Sequence, residues 1–175
     1  MRITRLGTAL LFPLFLIVTG SAASNLNQDS KVVVAPSSSF ATDNVTVAYI
    51  NHQPHLQYSL TNISSDVIPA LIVRLEAYDA KGNLCGRQTW ITRDSLPAGS
   101  KVNSIFAMTI DLKTVANMVV EFAPVDPLQS GCDSKFCNEC AREARESCGG
   151  KVQSMSCTVG SVCTCSFQCR APILP

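Results

Sequence analysis

The sequence predicts a mainly β protein: an antiparallel β-sandwich followed by a small disulfide-rich helix–hairpin (αββ) tail. Three observations carry this. Apolar residues recur at period two in short runs between Val45 and Val125. Gly, Pro, Asn and Asp clusters separate those runs. Eight of the nine cysteines fall between Cys132 and Cys169, far more than a reducing compartment favours.

Lys31–Ala35 reads as a short strand, and Pro36–Asn44 as a Ser-rich connection without periodicity. Val45–Tyr49 opens the main series. Leu56, Tyr58 and Leu60 alternate with Gln57, Ser59 and Thr61. From Ile68 to Tyr78 one face carries Leu71, Val73, Leu75 and Ala77, the other Ile72, Arg74, Glu76 and Tyr78. Asp79–Asn83 is a turn in which Gly82 supplies a positive φ, and Leu84–Thr92 returns from it. After Leu96–Gly99, the residues Val102, Phe106, Met108 and Ile110 alternate with Asn103, Ala107 and Thr109, and Met118, Val120 and Phe122 alternate with Val119, Glu121 and Ala123. About seven strands in about 95 residues fit an immunoglobulin-like sandwich in count and size.

Leu56–Asn62, then Val73–Gly82, then Leu96–Gly99 resemble the strand, "YDxxG" hairpin and "PG" turn of bacterial FxLYD-type immunoglobulin-like envelope domains. The resemblance covers about half the chain. It implies an accessory or interaction module and carries no catalytic residue.

In the tail, Ser134–Ser147 reads as a helix, capped by Asp133 or Ser134 and closed at Gly149. At about 100° per residue, Cys137, Cys140, Ala141, Ala144 and Cys148 fall on one stripe. Arg142 and Glu146 pair at i,i+4 on the charged side. Lys151–Cys157 and Val162–Cys169 read as a hairpin around Gly160-Ser161, with Cys163, Cys165, Phe167 and Cys169 on one face. The last strand then runs parallel to the helix, so the two cysteine series pair in order: Cys137–Cys163, Cys140–Cys165 and Cys148–Cys169. Cys157, at the helix-start end, is left to Cys132, and Cys85 remains a free thiol. This order resembles the cysteine-stabilised αβ motif of defensins and short toxins, in which two helix cysteines bridge to a Cys-x-Cys on the last strand. The resemblance implies a scaffold of about 40 residues.

The first residues have the order of a secretory signal: Arg2 and Arg5, an apolar run from Leu6 to Val18, then small residues. Cleavage is expected after Ala23. The apolar run has 13 residues and contains Pro13, short of the roughly 20 a membrane helix needs, so no span is expected in the mature chain. Loss of Arg2 and Arg5 leaves 12 basic against 13 acidic residues, a net charge of −1. A near-neutral chain offers no electrostatic footprint for nucleic acid. The expected divisions are 1–23 signal peptide, 24–44 first strand and connection, 45–130 sandwich, 131–170 cysteine-rich unit and 171–175 tail.

Chemistry-bearing motifs are sparse. Cys137-x-x-Cys140 fits structural bridges first, and a redox pair or half a metal site second. His52 and His55, the only histidines, flank Pro54 and read as loop residues. Asn44-Val45-Thr46 and Asn62-Ile63-Ser64 fit the glycosylation sequon. Tyr78 and Trp90 are candidate ligand anchors. The expectation is a secreted or periplasmic, non-catalytic interaction or structural module, with no cofactor or metal and with a protein or envelope component as partner. The alternatives are a toxin- or defensin-like activity of the tail, and a metal-binding or redox thiol protein.

Overall fold

The computed structural model describes residues 31–125 and 134–170. The expected signal peptide and its cleavage site, Cys132, the Asp133 cap and residues 171–175 lie outside the described residues. The strands are β1 (Lys31–Val34), β2 (Phe40–Ile50), β3 (Gln53–Asn62), β4 (Leu71–Tyr78), β5 (Leu84–Thr92), β6 (Lys101–Ala107), β7 (Asn117–Pro124), β8 (Val152–Thr158) and β9 (Val162–Cys169). A 3₁₀ turn at Leu112–Thr114 precedes β7, and helix α1 (Ser134–Ser147) precedes β8.

Two sheets form. The larger has the order β1-β7-β4-β5-β9-β8, the smaller β2-β3-β6. β1 pairs with β7 in parallel, whereas every other pairing between named strands is antiparallel. The main core lies between the sheets. Leu71, Val73, Leu75 and Ala77 of β4 face Leu56, Tyr58 and Leu60 of β3, with Met118, Val120 and Phe122 of β7 beside them. The alternation of these strands is the direct cause: a pleat sends every second side chain to the same face. Rings lock the layers together. Trp90 of β5 stacks on Phe106 of β6 at 5.2 Å, and Tyr58 meets Phe122 edge-on at 4.9 Å. Such pairs add about 0.5–1.5 kcal/mol each beyond area burial.

The cysteine-rich segment is continuous with the sandwich. β9 pairs with β5 from Gly86↔Gln168 to Thr92↔Val162, so the expected division at residue 130 does not interrupt the sheet. Val162 packs against the main core on one side of the sheet. Cys163, Cys165 and Phe167 project to the other side, beside Ile91, Thr89 and Arg87. There α1 covers the sheet. Phe136, Cys163, Ile91, Ala70 and Val125 form one small core, and Cys140, Ala144, Cys165 and Phe167 another. The molecule is therefore layered as small sheet, large sheet and helix.

Close approach of β5 and β9 requires Gly86. A Cβ placed there would lie 2.7 Å from the Phe167 carbonyl oxygen, a backbone atom that can move only with its strand. Gly86→Ala is expected to destabilise the fold by about 1–3 kcal/mol, as a lowered denaturant midpoint would show. The chain reverses between α1 and β8 at Gly149 and Gly150, with φ of 55° and 77°. The Gly150 N–H donates to the Arg145 carbonyl at 2.7 Å, which closes the helix end as glycines past a helix terminus commonly do.

Several strand limits differ from expectation. β2 begins at Phe40, inside the expected Ser-rich connection, and Asn51-His52 form its turn to β3 with φ of 51° and 65°. β4 begins at Leu71, leaving Ile68 in an isolated bridge to Leu96. Met108 and Ile110 are buried beyond the end of β6 rather than within it.

Candidate functional site

Three disulfides tie α1 to the hairpin: Cys137–Cys157, Cys140–Cys165 and Cys148–Cys169. The last two match expectation. Cys137–Cys163 and Cys132–Cys157 do not. Cys163 is disulfide-bonded as well, and Cys132 lies outside the described residues. The correction has a geometric cause. Cys137 and Cys140 are separated by a rise of about 4.5 Å, too short for alternate residues of one strand, which stand about 6.6 Å apart. It matches the spacing of neighbouring strands, about 4.8 Å. Cys157 sits directly opposite Cys165 on β8, so the two helix cysteines reach two strands rather than one.

This arrangement bears on the thiol alternatives. Cys137 and Cys140 bond to different strands and not to each other, which is not the arrangement of a Cys-x-x-Cys redox pair. Bridged sulfurs are also not thiolate ligands. Among the described residues no group of three or more His, Cys, Asp and Glu side chains is placed to hold a metal ion.

Beside the helix, Arg87 organises a charged seam. Its guanidinium contacts the Glu76 carboxylate at 2.6 Å and Glu143 of α1 at 3.5 Å, and it lies 5.6 Å from the centre of the Phe167 ring. Tyr78 donates its hydroxyl to Glu76. Burial alone would raise the Glu76 pKa, but the Tyr78 hydroxyl and the Arg87 charge outweigh it and hold the carboxyl below its usual value. A depressed carboxylate contributes stability above its unfolded-state pKa, lost as pH falls through the folded one. Tyr78, a candidate ligand anchor, is thus engaged within the protein. Trp90, the other, is 2% exposed and stacked in the main core, so it is a packing residue.

Both Tyr78 and Tyr58 are pushed up to about 12, by burial first; in Tyr78 the bond to Glu76 adds to it. The neutral phenols contribute stability that is complete below pH 10, the ordinary tyrosine value, and lost as pH rises toward 12. Alkaline titration of the native protein should therefore release phenolate absorbance from these two only near pH 12. A native step from either near pH 10 would contradict this.

The free cysteine, Cys85, occupies a β-bulge. β4 pairs Ala77↔Gly86 and then Tyr78↔Leu84, leaving Cys85 unmatched. An unbroken period of two would place it on the face of Arg87, Thr89 and Ile91; the bulge turns it instead against the main core, with Thr114 Oγ1 3.9 Å from its sulfur. Burial pushes its thiol pKa up, which keeps it protonated and weakly nucleophilic. Cys85 lines a cleft of about 270 Å³ at the seam between the 79–83 turn, the 111–114 turn and the hairpin, together with Asp79, Asp111, Gln153 and Arg170. Asp79 is committed there to its own turn, accepting from Lys81 N, Asn83 N and Asn83 Nδ2 at 2.8–2.9 Å.

The two sequon asparagines have opposite environments. Asn44 is exposed in the β2 bulge, with φ of 52°. Asn62 is fully buried. Its Nδ2 donates to the carbonyls of Asp66 (2.8 Å) and Leu96 (2.9 Å), and its Oδ1 accepts from Ser64 N (2.9 Å) and Ser64 Oγ (2.7 Å). Both amide protons are used, so Asn62 joins two loops in the folded protein and offers no nitrogen to a glycan. His52 forms the β2–β3 turn, whereas His55 lies in β3, opposite Ala48 and Ala107 rather than in a loop, with its Nδ1 2.8 Å from the Gln53 carbonyl oxygen.

The hairpin also places an open strand edge at the limit of the large sheet. Among the described residues β8 pairs only with β9. No helix among the described residues is long and apolar enough to cross a membrane. No family model, no curated protein and no solved structure matches the chain.

Proposed function

We propose that this chain is an exported, non-catalytic interaction module of immunoglobulin-like type that acts outside the cytoplasm. The single observation that supports it most is the merging of the stapled hairpin with the sandwich sheet. Three disulfides hold one helix against β8 and β9, and the product is a rigid six-stranded sheet ending in an open edge. Rigid presentation of a binding edge lowers the ordering cost of association. Disulfides of this density suit an oxidising compartment, and the signal-like first residues suit export to one. A toxin-like role for the tail gains less support, because Phe136 and Cys163 share a core with Ile91, Ala70 and Val125 of the preceding segment.

The test is photo-crosslinking in the native host, with the label at Gln153, an exposed residue of β8. The exported fraction should contain the oxidised chain, starting near Ser24, in one discrete adduct. A chain retained in the cytoplasm with reduced cysteines, or one that kills cells when added as purified protein, would overturn the proposal.

A further inference from the structure

The four sheet edges are not alike. β1 is four residues long and begins with Lys31. β2 is broken by the irregularity between Asp43 and Thr46. β6 carries Lys101, paired with Asp43 at 3.0 Å, and it is recessed. Trp90 stacks on Phe106 and Gln88 Nε2 donates to the Ala107 carbonyl at 3.1 Å, so β6 lies against β5 while β9 and β8 overhang it. Short length, bulges and charge are devices that keep strand edges from pairing with other chains. β8 has none of them along Ser154–Thr158. It carries no charge and no proline, and its one irregularity lies at its start, between Val152 and Ser154. Cys157 is bonded to α1, which fixes the strand.

We infer that β8 is a homodimer interface at which two copies join antiparallel, edge to edge, about a two-fold axis at Met155. The inference rests on the interaction-module proposal and gives its partner as a second copy. In a two-fold pairing, residues equidistant from the axis meet. Ser154 then faces Ser156 of the other copy, Val152 faces Thr158, and Met155 faces itself. No like charges are opposed anywhere along the strand, which is the electrostatic condition for a strand to accept its own copy. Met155 is 46% exposed although it lies mid-strand, and the pairing covers it with an identical side chain. Backbone groups on the open edge gain partners, and the two large sheets become one continuous sheet.

The experiment is sedimentation equilibrium of the oxidised full-length exported chain. The expected result is a reversible dimer that dissociates on dilution. Met155→Leu should leave it intact. Met155→Lys should raise the dissociation constant about tenfold or more by opposing two positive charges at the axis, and Met155→Glu should do the same. Mixing the two charge variants should restore association as a heterodimer. Met155 is exposed, so its variants should retain the native circular dichroism spectrum, which is measured alongside. Cys85→Ser should still dimerise. A wild-type chain that stays monomeric at the highest concentration, a dimer indifferent to Met155→Lys, or one lost in Cys85→Ser overturns the inference. The interaction-module proposal is judged separately by the mass of the crosslinked adduct: failure of self-association leaves an adduct with a different protein intact as support for it.

Discussion

Asn62→Ala is expected to lower the unfolding free energy by about 3–5 kcal/mol. Asn62 saturates all four of its side-chain hydrogen-bonding positions, binding Asp66 and Leu96 through Nδ2 and Ser64 through Oδ1. Its backbone also takes part: its N–H donates to Ser100 and its carbonyl accepts from Gly99. The loop after β3 and the loop before β6 are therefore joined through one buried side chain. Alanine removes four hydrogen bonds at once, each worth about 0.5–1.5 kcal/mol, leaving the Leu96 carbonyl with the Ile68 N–H and the Asp66 carbonyl with the Ser64 hydroxyl, and it empties a fully buried position. Asn62→Asp should be at least as damaging at neutral pH, because it turns two carbonyl oxygens toward a carboxylate that has no proton to donate. Urea denaturation of both variants checks the magnitude and the order. A loss below about 1 kcal/mol for Asn62→Ala would show that the two loops hold together without it.

Removal of the Cys140–Cys165 bridge by double alanine substitution is expected to cost about 3–4 kcal/mol. Its closed loop, with a sequence separation of 25, gives about 3.5 kcal/mol of unfolded-state entropy by the chain-closure estimate. Both cysteines are 3% exposed and share a core with Ala144 and Phe167, so lost packing adds to that figure. The loss should be uneven along the chain. Amide exchange should accelerate first in α1 and β8, which the bridges tie to each other and to β9, while β3, β4 and β7 stay protected. Equal acceleration throughout would mean that the helix layer and the sandwich open as a single unit.

Much of this architecture can be read from residue spacing. The β4 alternation of Leu71, Val73, Leu75 and Ala77 is plain because one face is wholly apolar. The α1 limits follow from a Cys/Ala stripe and two closing glycines. The join between β5 and β9 is not legible in this way. Thr89, Thr92 and Ser166 are buried, yet as types they suggest a wet face. Gln88 is 1% exposed and satisfied by the Ala107 carbonyl and the Thr109 N–H, contacts that no periodicity announces. Likewise the sequon at Asn62 draws the eye to modification, while its structural work depends on carbonyls 4 and 34 residues away. The bridge at Cys157 was hidden for a related reason. A linear ladder describes one strand, whereas a helix lies across two.

The position of β9 also sets a timetable. It is the last of the described strands in sequence order, yet it sits inside the large sheet, between β5 and β8. A ribosome or an export channel delivers residues from the N-terminus onward, so β4, β5 and β7 emerge well before β9. Until residues 162–169 arrive, β5 is itself an edge nine residues long, with Ile91 and Thr89 uncovered. Such an edge is open to mispairing. The β5–β9 pairing and the Cys140–Cys165 and Cys148–Cys169 bridges can close only once residues 162–169 are present, whereas Cys137–Cys157 needs none of them.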